Sequence, residues 1–220
     1  MPITPRSIIF ALLFPTVVGI IHFTAAGTIQ LPAVWALLIT VAIFFITMAL
    51  LVGPQLMAER SKPGPGDRNR TTPIILTIIF IAQWALAGFD VGRLQISPIP
   101  NPIRWFGLAL YLAALALILY AMKSNPFYSS AVRIQSDRQH RTITQGPYKL
   151  VRHPGYTASI LAMIAGSLVF GSALAALLTL PAIALFIRRT IIEDRMLQND
   201  LPGYTQYTKQ TRYRLLPYIF

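Results

Sequence analysis

The sequence predicts an all-α membrane protein, a multi-span transmembrane helical bundle. We expect about six crossings, with the N- and C-termini cytosolic and with the last two helices forming a short hairpin. Two observations indicate this class. Of the 220 residues, 55% are hydrophobic and 12% are charged, and the mean hydropathy of +0.58 is far above that of a water-soluble domain. Long apolar runs also alternate with short basic segments, a pattern typical of proteins with several membrane-spanning helices.

The first four apolar runs each predict one transmembrane helix. They cover residues 8–26, 33–52, 73–89 and 103–122, each close to the ~20 residues that cross a bilayer as a helix. We expect the first run to be a retained span, because only Arg6 precedes it as a basic residue and it lacks a small-residue cleavage site.

The fifth run, residues 157–187, predicts a helical hairpin. It contains no Asp, Glu, Lys or Arg, and one helix of this length would measure about 46 Å against a hydrocarbon core of ~30 Å. The expected turn is Phe170-Gly171-Ser172, because glycine accepts the backbone angles of a tight reversal and serine can bond the freed amides. Six crossings place every Lys and Arg except Arg93 and Arg104 on the cytosolic side, in agreement with the positive-inside tendency.

Three polar segments are expected on that side. Residues 62–70 are rich in Pro and Gly, which predicts a solvated, mobile turn without chemistry. Residues 123–152 form the longest polar stretch, where short pieces of interfacial structure are expected. Residues 193–220 mix charges with Tyr and Leu, a pattern typical of an amphipathic helix that lies along the inner surface and roofs a site.

The composition also narrows the choice of partners. The net charge is +12, but the basic residues flank apolar spans, so we expect anionic lipid head groups and no nucleic acid. The chain has no cysteine, which excludes disulfides, thiolate metal sites and a cysteine nucleophile. No metal site is expected, because His22, His140 and His153 are the only histidines and none are spaced as in a zinc motif.

Polar residues near the outer ends of the spans have simpler interpretations. His22 lies close to the outer end of the first run, and we expect it to be an interfacial histidine. Asp90 and Arg93 are three residues apart and are predicted to form an ion pair at the outer edge.

The most informative motif is Gly-Pro-Tyr-Lys-Leu-Val-Arg-His-Pro-Gly-Tyr at residues 146–156, directly before the fifth run. A membrane enzyme would hold a polar ligand beside an apolar substrate at such a place, but a basic, aromatic anchor at the lipid interface has the same composition. Pro154 disfavours helix at His153 and suits a first helical turn. A helix should therefore begin near Gly155, with free amides able to face an anion.

The hairpin should return residues 188–194 to the level of this motif. Arg189 and Glu193 are four residues apart and share a helical face. Alone they would form an ordinary exposed ion pair that contributes about 0.3 to 0.5 kcal/mol. Because a cationic loop and His153 converge on them beside lipid, we interpret the group as a site for a charged or zwitterionic ligand.

These residues together resemble the isoprenylcysteine carboxyl methyltransferase family, which is related to the phospholipid methyltransferases. The resemblance covers about the last hundred residues in order, and the first half resembles the family only in having several spans. The matching segments are Asp137-Arg-Gln-His140, Gly146-Pro-Tyr148, Arg152-His-Pro-Gly-Tyr156, the hairpin, Arg189-Thr-Ile-Ile-Glu193-Asp194, and Gly203-Tyr204 with Tyr207.

The resemblance implies a membrane methyltransferase that uses S-adenosylmethionine and methylates a lipophilic acceptor reached from the bilayer. Residues 1–122 would be a four-helix transmembrane portion and residues 123–220 the cofactor-binding catalytic portion of one integrated domain. Arg189 matches an arginine assigned to acceptor binding or catalysis, and with Glu193 it is a catalytic candidate. The positions that match the donor pocket are His140, Arg141, Thr142, Ile143, Tyr148, His153, Pro154, Gly155, Tyr156, Glu193 and Asp194.

Within that set, Glu193 matches the family's donor-binding acidic residue, and Asp194 replaces a second Glu. Arg133 falls at another pocket position by spacing but differs in residue type. The predicted topology places the active site on the cytosolic side, and we expect the protein in a prokaryotic cell membrane. The acceptor, whether a prenylcysteine, a phospholipid or another lipid, is left open, as is the oligomeric state.

Two other functions stay open from the sequence. Sterol reductases carry a similar Arg-His-Pro-x-Tyr element in their carboxyl-terminal region and use NADPH. A non-catalytic lipid-binding or transport protein would also be a helical bundle. Transporters often have broken helices in corresponding halves, however, and the hairpin here has no counterpart in the first half.

Overall fold

The computed structural model describes residues 5–220 and confirms the predicted all-α bundle. Proline stands in the first turn of several helices, where the missing amide has no intrahelical partner to lose. The helices are α1 (Pro5–Ala26), α2 (Pro32–Leu51), α3 (Pro54–Ser61), α4 (Thr71–Phe89), α5 (Asn101–Ser124), α6 (Pro154–Phe170), α7 (Ala173–Ala176), α8 (Thr179–Asp200) and α9 (Tyr204–Gln210).

Each predicted crossing coincides with an apolar helix. Within residues 5–220, the segments Pro32–Leu51, Thr71–Leu94, Asn101–Ser124 and Ala173–Asp200 are long and apolar enough to span a membrane. Ala11–Ala26 and Pro154–Phe170 are shorter apolar helices. The chain is therefore an integral membrane protein with several spans.

The reversal after α6 lies where the sequence predicts it. Gly171 ends α6 with φ +84°, a left-handed conformation that glycine adopts without steric cost. The Ser172 hydroxyl then accepts the amide of Ala175 at 3.1 Å and caps α7. The first arm has 17 residues, but α8 has 22 residues and is longer than the short second arm that was predicted.

The tail corrects the prediction of a single amphipathic helix over residues 193–220. The first part of this segment continues α8, α9 has only seven residues, and residues 211–220 fold back without regular structure. There the amide of Arg152 donates to the carbonyl oxygen of Tyr213 at 2.9 Å. The amide of His153 donates in the same way to the carbonyl oxygen of Arg214, also at 2.9 Å. The tail is thereby fixed against the start of α6.

The backbone of α1 is in contact with α4 and with the π-helical turn that follows it, Asp90–Leu94. A Cβ atom on Gly88 would lie 2.2 Å from the carbonyl oxygen of His22, and one on Gly92 would lie 2.0 Å from that of Ala26. Such close approach requires small residues, and it supplies the van der Waals packing that holds helices together in lipid.

We therefore expect Gly88→Ala to destabilise the protein by about 1 to 3 kcal/mol or more, because a core without space must shift its backbone to admit a methyl group. Gly166→Ala is the matched control, since a Cβ there would lie 3.5 Å from the Tyr111 ring, an ordinary contact distance. The measurement is thermal unfolding of both variants in detergent. Equal melting temperatures for the two variants would contradict the close contact.

The structure corrects two predictions at the outer ends of the spans. His22 is not interfacial but fully buried, and its Nδ1 lies 3.0 Å from the Trp84 carbonyl oxygen. Asp90 does not bind Arg93; its carboxylate instead accepts the hydroxyls of Ser97 and Ser172, both at 2.5 Å. Arg93 donates to carbonyl oxygens at the end of α1. The Asp90 carboxylate and His22 Nδ1, which lipid cannot solvate, thus find partners inside the bundle, whereas the buried His22 Nε2 makes no hydrogen bond within residues 5–220.

Candidate active site

A cavity of about 250 Å³ lies at the end of the bundle opposite the hairpin turn, near the lower limit of the ~300 to 1,000 Å³ typical of small-molecule sites. Its wall combines the end of α3, the loop before α6, the start of α6, the middle of α8, and α9. Pro154 and Asp194 are the predicted site residues that do not line it. Those that do are His140, Arg141, Thr142, Ile143, Tyr148, His153, Gly155, Tyr156, Arg189 and Glu193.

Arg189 and Glu193 are joined through a third residue. Arg189 Nε donates to the Tyr156 hydroxyl at 2.8 Å, and that hydroxyl donates to Glu193 Oε2. Arg189 also donates to the carbonyl oxygens of Asn69 at 3.3 Å and Ser130 at 2.5 Å. The guanidinium is thus held by the protein, whereas Glu193 Oε1 has no hydrogen-bond partner in the described part of the chain.

Asp194 lies behind the wall of the cavity. Its side chain is fully buried, and it accepts Arg152 Nε and Nη2 at 2.8 and 3.0 Å. Arg214 Nε and the Tyr204 hydroxyl donate to the same carboxylate at 2.8 and 3.1 Å, and His153 Nε2 lies 3.3 Å away. This carboxylate connects α8 with the start of α6, with α9 and with the tail.

Most of residues 62–70 are exposed, as predicted, but part of this turn packs onto the site. Asp67 Oδ1 accepts the amide of Val132 at 3.0 Å, and the amide of Arg68 donates to the Val132 carbonyl oxygen at 2.9 Å. The next carbonyl oxygen, of Asn69, is the one that accepts Arg189. The Pro- and Gly-rich composition indicates a turn correctly but carries no information about the segment on which the turn packs.

Glu59 is a site residue that the sequence analysis missed. Arg133 Nε and Nη2 donate to its two carboxylate oxygens at 2.9 and 2.7 Å, and both side chains are about 95% buried. These hydrogen bonds hold the pKa of Glu59 below its ordinary value. The pair connects α3 to the wall of the cavity at Arg133. One signal existed, since Glu59 and Glu193 are the only glutamates in the chain.

Tyrosine rings form much of the wall. Tyr148, Tyr204 and Tyr207 all line the cavity. The Tyr207 hydroxyl donates to the Tyr148 carbonyl oxygen at 2.6 Å, and Asn125 donates to the Tyr148 hydroxyl at 3.1 Å. Burial raises the pKa of Tyr148 well above its usual range and that of Tyr207 to about 12. Both phenols are therefore neutral at pH 7 and present uncharged rings to a ligand.

His140 presents a neutral imidazole to the cavity. Burial, assisted by the charges of Arg133 and Arg138, lowers the pKa of His140 to about 4. Its Nδ1 accepts the Gln135 amide at 3.3 Å, which assigns the remaining hydrogen to Nε2. The ring lies against Phe127 with 4.6 Å between centroids. The two ring planes are tilted by 32° and present an uncharged aromatic surface with one hydrogen-bond donor.

We expect thermal stability to fall as the pH is lowered from about 6.5 toward 4, partly because of His140. The pKa of the ring is lowered from 6.5 to about 4, so within this window the unfolded chain binds a proton that the folded chain does not. The stabilisation from the neutral ring is complete above pH 6.5 and is lost as the pH falls. Between pH 6.5 and 4, the melting temperature of His140→Phe should fall less than that of the unchanged protein. Parallel stability curves for the two proteins would contradict the neutral, buried ring.

The cavity also has an apolar wall. Pro73 and Leu76 of α4 and Phe186 of α8 line it, and all three belong to the candidate membrane spans. At the edge of this wall Arg188 of α8 donates to the Thr72 hydroxyl at 3.4 Å. The cavity thus lies between polar loops on one side and membrane-spanning helices on the other.

Comparison with known proteins relates the same part of the chain to characterised sequences. Residues 107–199 match the Isoprenylcysteine carboxyl methyltransferase (ICMT) family. The chain is also similar to the cobalt-zinc-cadmium resistance protein CzcN of Cupriavidus metallidurans, with 29% identity over 154 residues that cover 69% of this chain and 70% of that protein. The family match includes α6, the loop before it, and α8 through Glu193, which supply most of the cavity wall.

Proposed function

We propose that the chain transfers the methyl group of S-adenosylmethionine to a lipophilic acceptor, as a membrane methyltransferase similar to the isoprenylcysteine carboxyl methyltransferase family that residues 107–199 match. The observation that carries the proposal is the two-sided cavity, with a polar wall of His140, Tyr156 and Glu193 and an apolar wall that begins at Leu76 and Phe186. A polar methyl donor and an apolar acceptor, bound side by side, would use both walls.

The residues of the polar wall fit the chemical groups of the donor. Glu193 Oε1, which has no partner in the described residues, suits the ammonium group. The uncharged surface of His140 and Phe127 suits a purine ring, and the rings of Tyr148 and Tyr156 attract a sulfonium cation through their faces. At the start of α6 the amides of Tyr156 and Thr157 donate to the His153 carbonyl oxygen, which leaves the Gly155 amide to donate to a carboxylate. Bound S-adenosylmethionine would supply an electrophilic methyl group at this position.

Arg189 and Tyr156 act by positioning. Arg189 uses its Nε–H and both terminal nitrogens to fix Tyr156 and two carbonyl oxygens, and Tyr156 in turn fixes Glu193. The nucleophile of a methyl transfer must approach in line, so the catalytic gain comes chiefly from such positioning and from electrostatics. The N–H groups of Arg189 that make no bond in the protein can orient an anionic acceptor, and a carboxylate acceptor needs no base.

The proposal treats the chain as one integrated domain. Residues 123–220 supply most of the wall, and residues 1–122 contribute Arg60 and the apolar side of α4. The basic residues gather at the cavity end of the bundle, which supports a cytosolic active site under the positive-inside tendency. The acceptor would then be a lipid or lipidated molecule of the same membrane.

Titration of the purified protein with S-adenosylmethionine and, separately, with NADPH tests the proposal. We expect saturable binding of the first only, followed by transfer of a radiolabelled methyl group into a total lipid extract. Saturable binding of NADPH alone would favour a reductase. Binding of neither would favour a lipid-binding protein, and each of these two results would overturn the proposal.

A further inference from the structure

A second cavity, of about 70 Å³, lies deeper among the membrane-spanning helices. Its lining residues on α4 and α6 lie further along each helix than those of the first cavity. On α4, Pro73 and Leu76 line the first cavity, and Phe80, Gln83 and Trp84 line the second. The spacing of three or four residues places these side chains on one face of the helix.

The face of α6 follows the same course. Gly155 at the start of α6 lines the first cavity, and Ala162, Gly166 and Phe170 line the second. These positions are seven, four and four residues apart, which places them on one side of the helix. The two cavities thus lie along a single seam between α4 and α6.

Three polar groups around the second cavity lack partners. Trp84 is 2% exposed, and its Nε1–H makes no hydrogen bond. Gln83 is also 2% exposed; its Nε2 donates to the Thr179 hydroxyl at 3.1 Å, but its Oε1 makes no hydrogen bond within residues 5–220. The Tyr111 hydroxyl of α5 likewise has no partner among those residues. Lipid offers no compensating hydrogen bonds, so unsatisfied groups at this depth point to a ligand.

We propose that the second cavity binds an oxygen atom carried on an apolar chain, such as a keto or ether oxygen, with Trp84 Nε1–H as the donor. The volume equals about two water molecules at ~30 Å³ each, enough for a carbonyl group and its neighbouring carbons. The eight-residue step from Leu76 to Trp84 spans about 12 Å of helix at 1.5 Å per residue. The oxygen would therefore lie about 12 Å further along α4 than the wall of the first cavity at Leu76.

This inference rests on the proposed function only in identifying the ligand with the methyl acceptor. An acceptor with a head group at Glu193 and an oxygen at Trp84 would be an oxygenated lipophilic molecule. A simple hydrocarbon chain would leave the Trp84 N–H unpaired, and a site with an unpaired buried donor discriminates strongly against such a ligand.

The fluorescence of Trp84 provides a test that does not depend on methyl transfer. Trp35 and Trp105 are 45% and 47% exposed, so the double variant Trp35→Phe/Trp105→Phe should fold and leaves Trp84 as the single indole. In lipid nanodiscs, 12-oxooctadecanoic acid should shift the Trp84 emission to the red in a saturable manner. Octadecanoic acid is the matched control and should need at least a tenfold higher concentration, if it binds at all.

A second variant, in which a larger side chain fills the cavity, tests whether the ligand binds there. Gly166→Leu in the same background should abolish the response to the oxo acid, because its side chain would enter the space beside Tyr111, whereas Gly166→Ala should retain it. Equal responses to the two acids, or no response to either, would overturn the inference. Emission that is already red-shifted and unaffected by the oxo acid would assign the cavity to water and would overturn it too. Loss of S-adenosylmethionine binding with an intact Trp84 response would instead overturn only the proposed function.

Discussion

Glu193→Gln is expected to weaken S-adenosylmethionine binding by about 10- to 100-fold. Hydrogen bonds to a charged group are worth about 1.5 to 3 kcal/mol, and ~1.4 kcal/mol is a tenfold change in affinity. Glutamine retains an oxygen that can accept the Tyr156 hydroxyl, so the geometry of the wall is preserved. Only the negative charge at the otherwise unpartnered Oε1 is lost.

Asp200→Asn is the matched control for this variant. Asp200 lies at the end of α8, where its ion pair with Arg68 is exposed, so the substitution removes the same charge from the same helix outside the cavity. Equilibrium titration of both variants with S-adenosylmethionine provides the comparison. Equal affinities for the two would exclude Glu193 as the ammonium partner, even if methyl transfer were lost.

Asp194→Asn is expected to destabilise the fold by about 3 to 5 kcal/mol, the usual cost of removing one partner of a buried ion pair. The side chains of Arg152 and Asp194 are 5% and 0% exposed, so the guanidinium would stay buried with no countercharge. Arg214 and His153 would lose the same partner. Arg152 also donates to the carbonyl oxygens of Thr211 and Arg212 in the tail. Because Asp194 orients this guanidinium and also binds Arg214 of the tail, we expect the tail to detach from the start of α6.

Thermal unfolding in detergent and amide hydrogen exchange of residues 211–220 measure this effect. The control is again Asp200→Asn, whose exposed pair should contribute at most about 1 kcal/mol. Loss of protection in residues 211–220 of Asp194→Asn, with protection retained in its membrane-spanning helices, would separate a local detachment from global unfolding. A melting temperature unchanged by Asp194→Asn would show that the carboxylate is not the centre of this network.

The contrast between Glu193 and Asp194 shows where sequence reasoning stops. Both are acidic, adjacent in the chain and part of one motif, and both are predicted to contact the cofactor. Successive residues on a helix point about 100° apart, and here Glu193 lines the cavity whereas Asp194 lies behind its wall. Which one faces it depends on the rotation of α8 against α6, and residue type alone does not report that rotation.

The sequence also did not predict which distant residues hold the site residues in place. Glu59 and Asn69 reach the site from segments about 74 and 120 residues away from the residues they hold. Hydropathy places their segments outside the membrane but does not say on what they pack. Asp90 shows the same limit, because its nearest charged neighbour was the wrong partner and two serine hydroxyls were the right ones.

The sequence by itself determined the spans, the reversal at Gly171, the start of α6 at Pro154 and the segments that converge near one end of the bundle. It could do so because bilayer thickness, charge exclusion and backbone geometry act on each segment independently of the others. The tertiary structure alone decided which polar groups face the cavity and which hold it from behind. Packing decides this, because a buried charge needs a partner and the neighbouring helices determine where that partner lies.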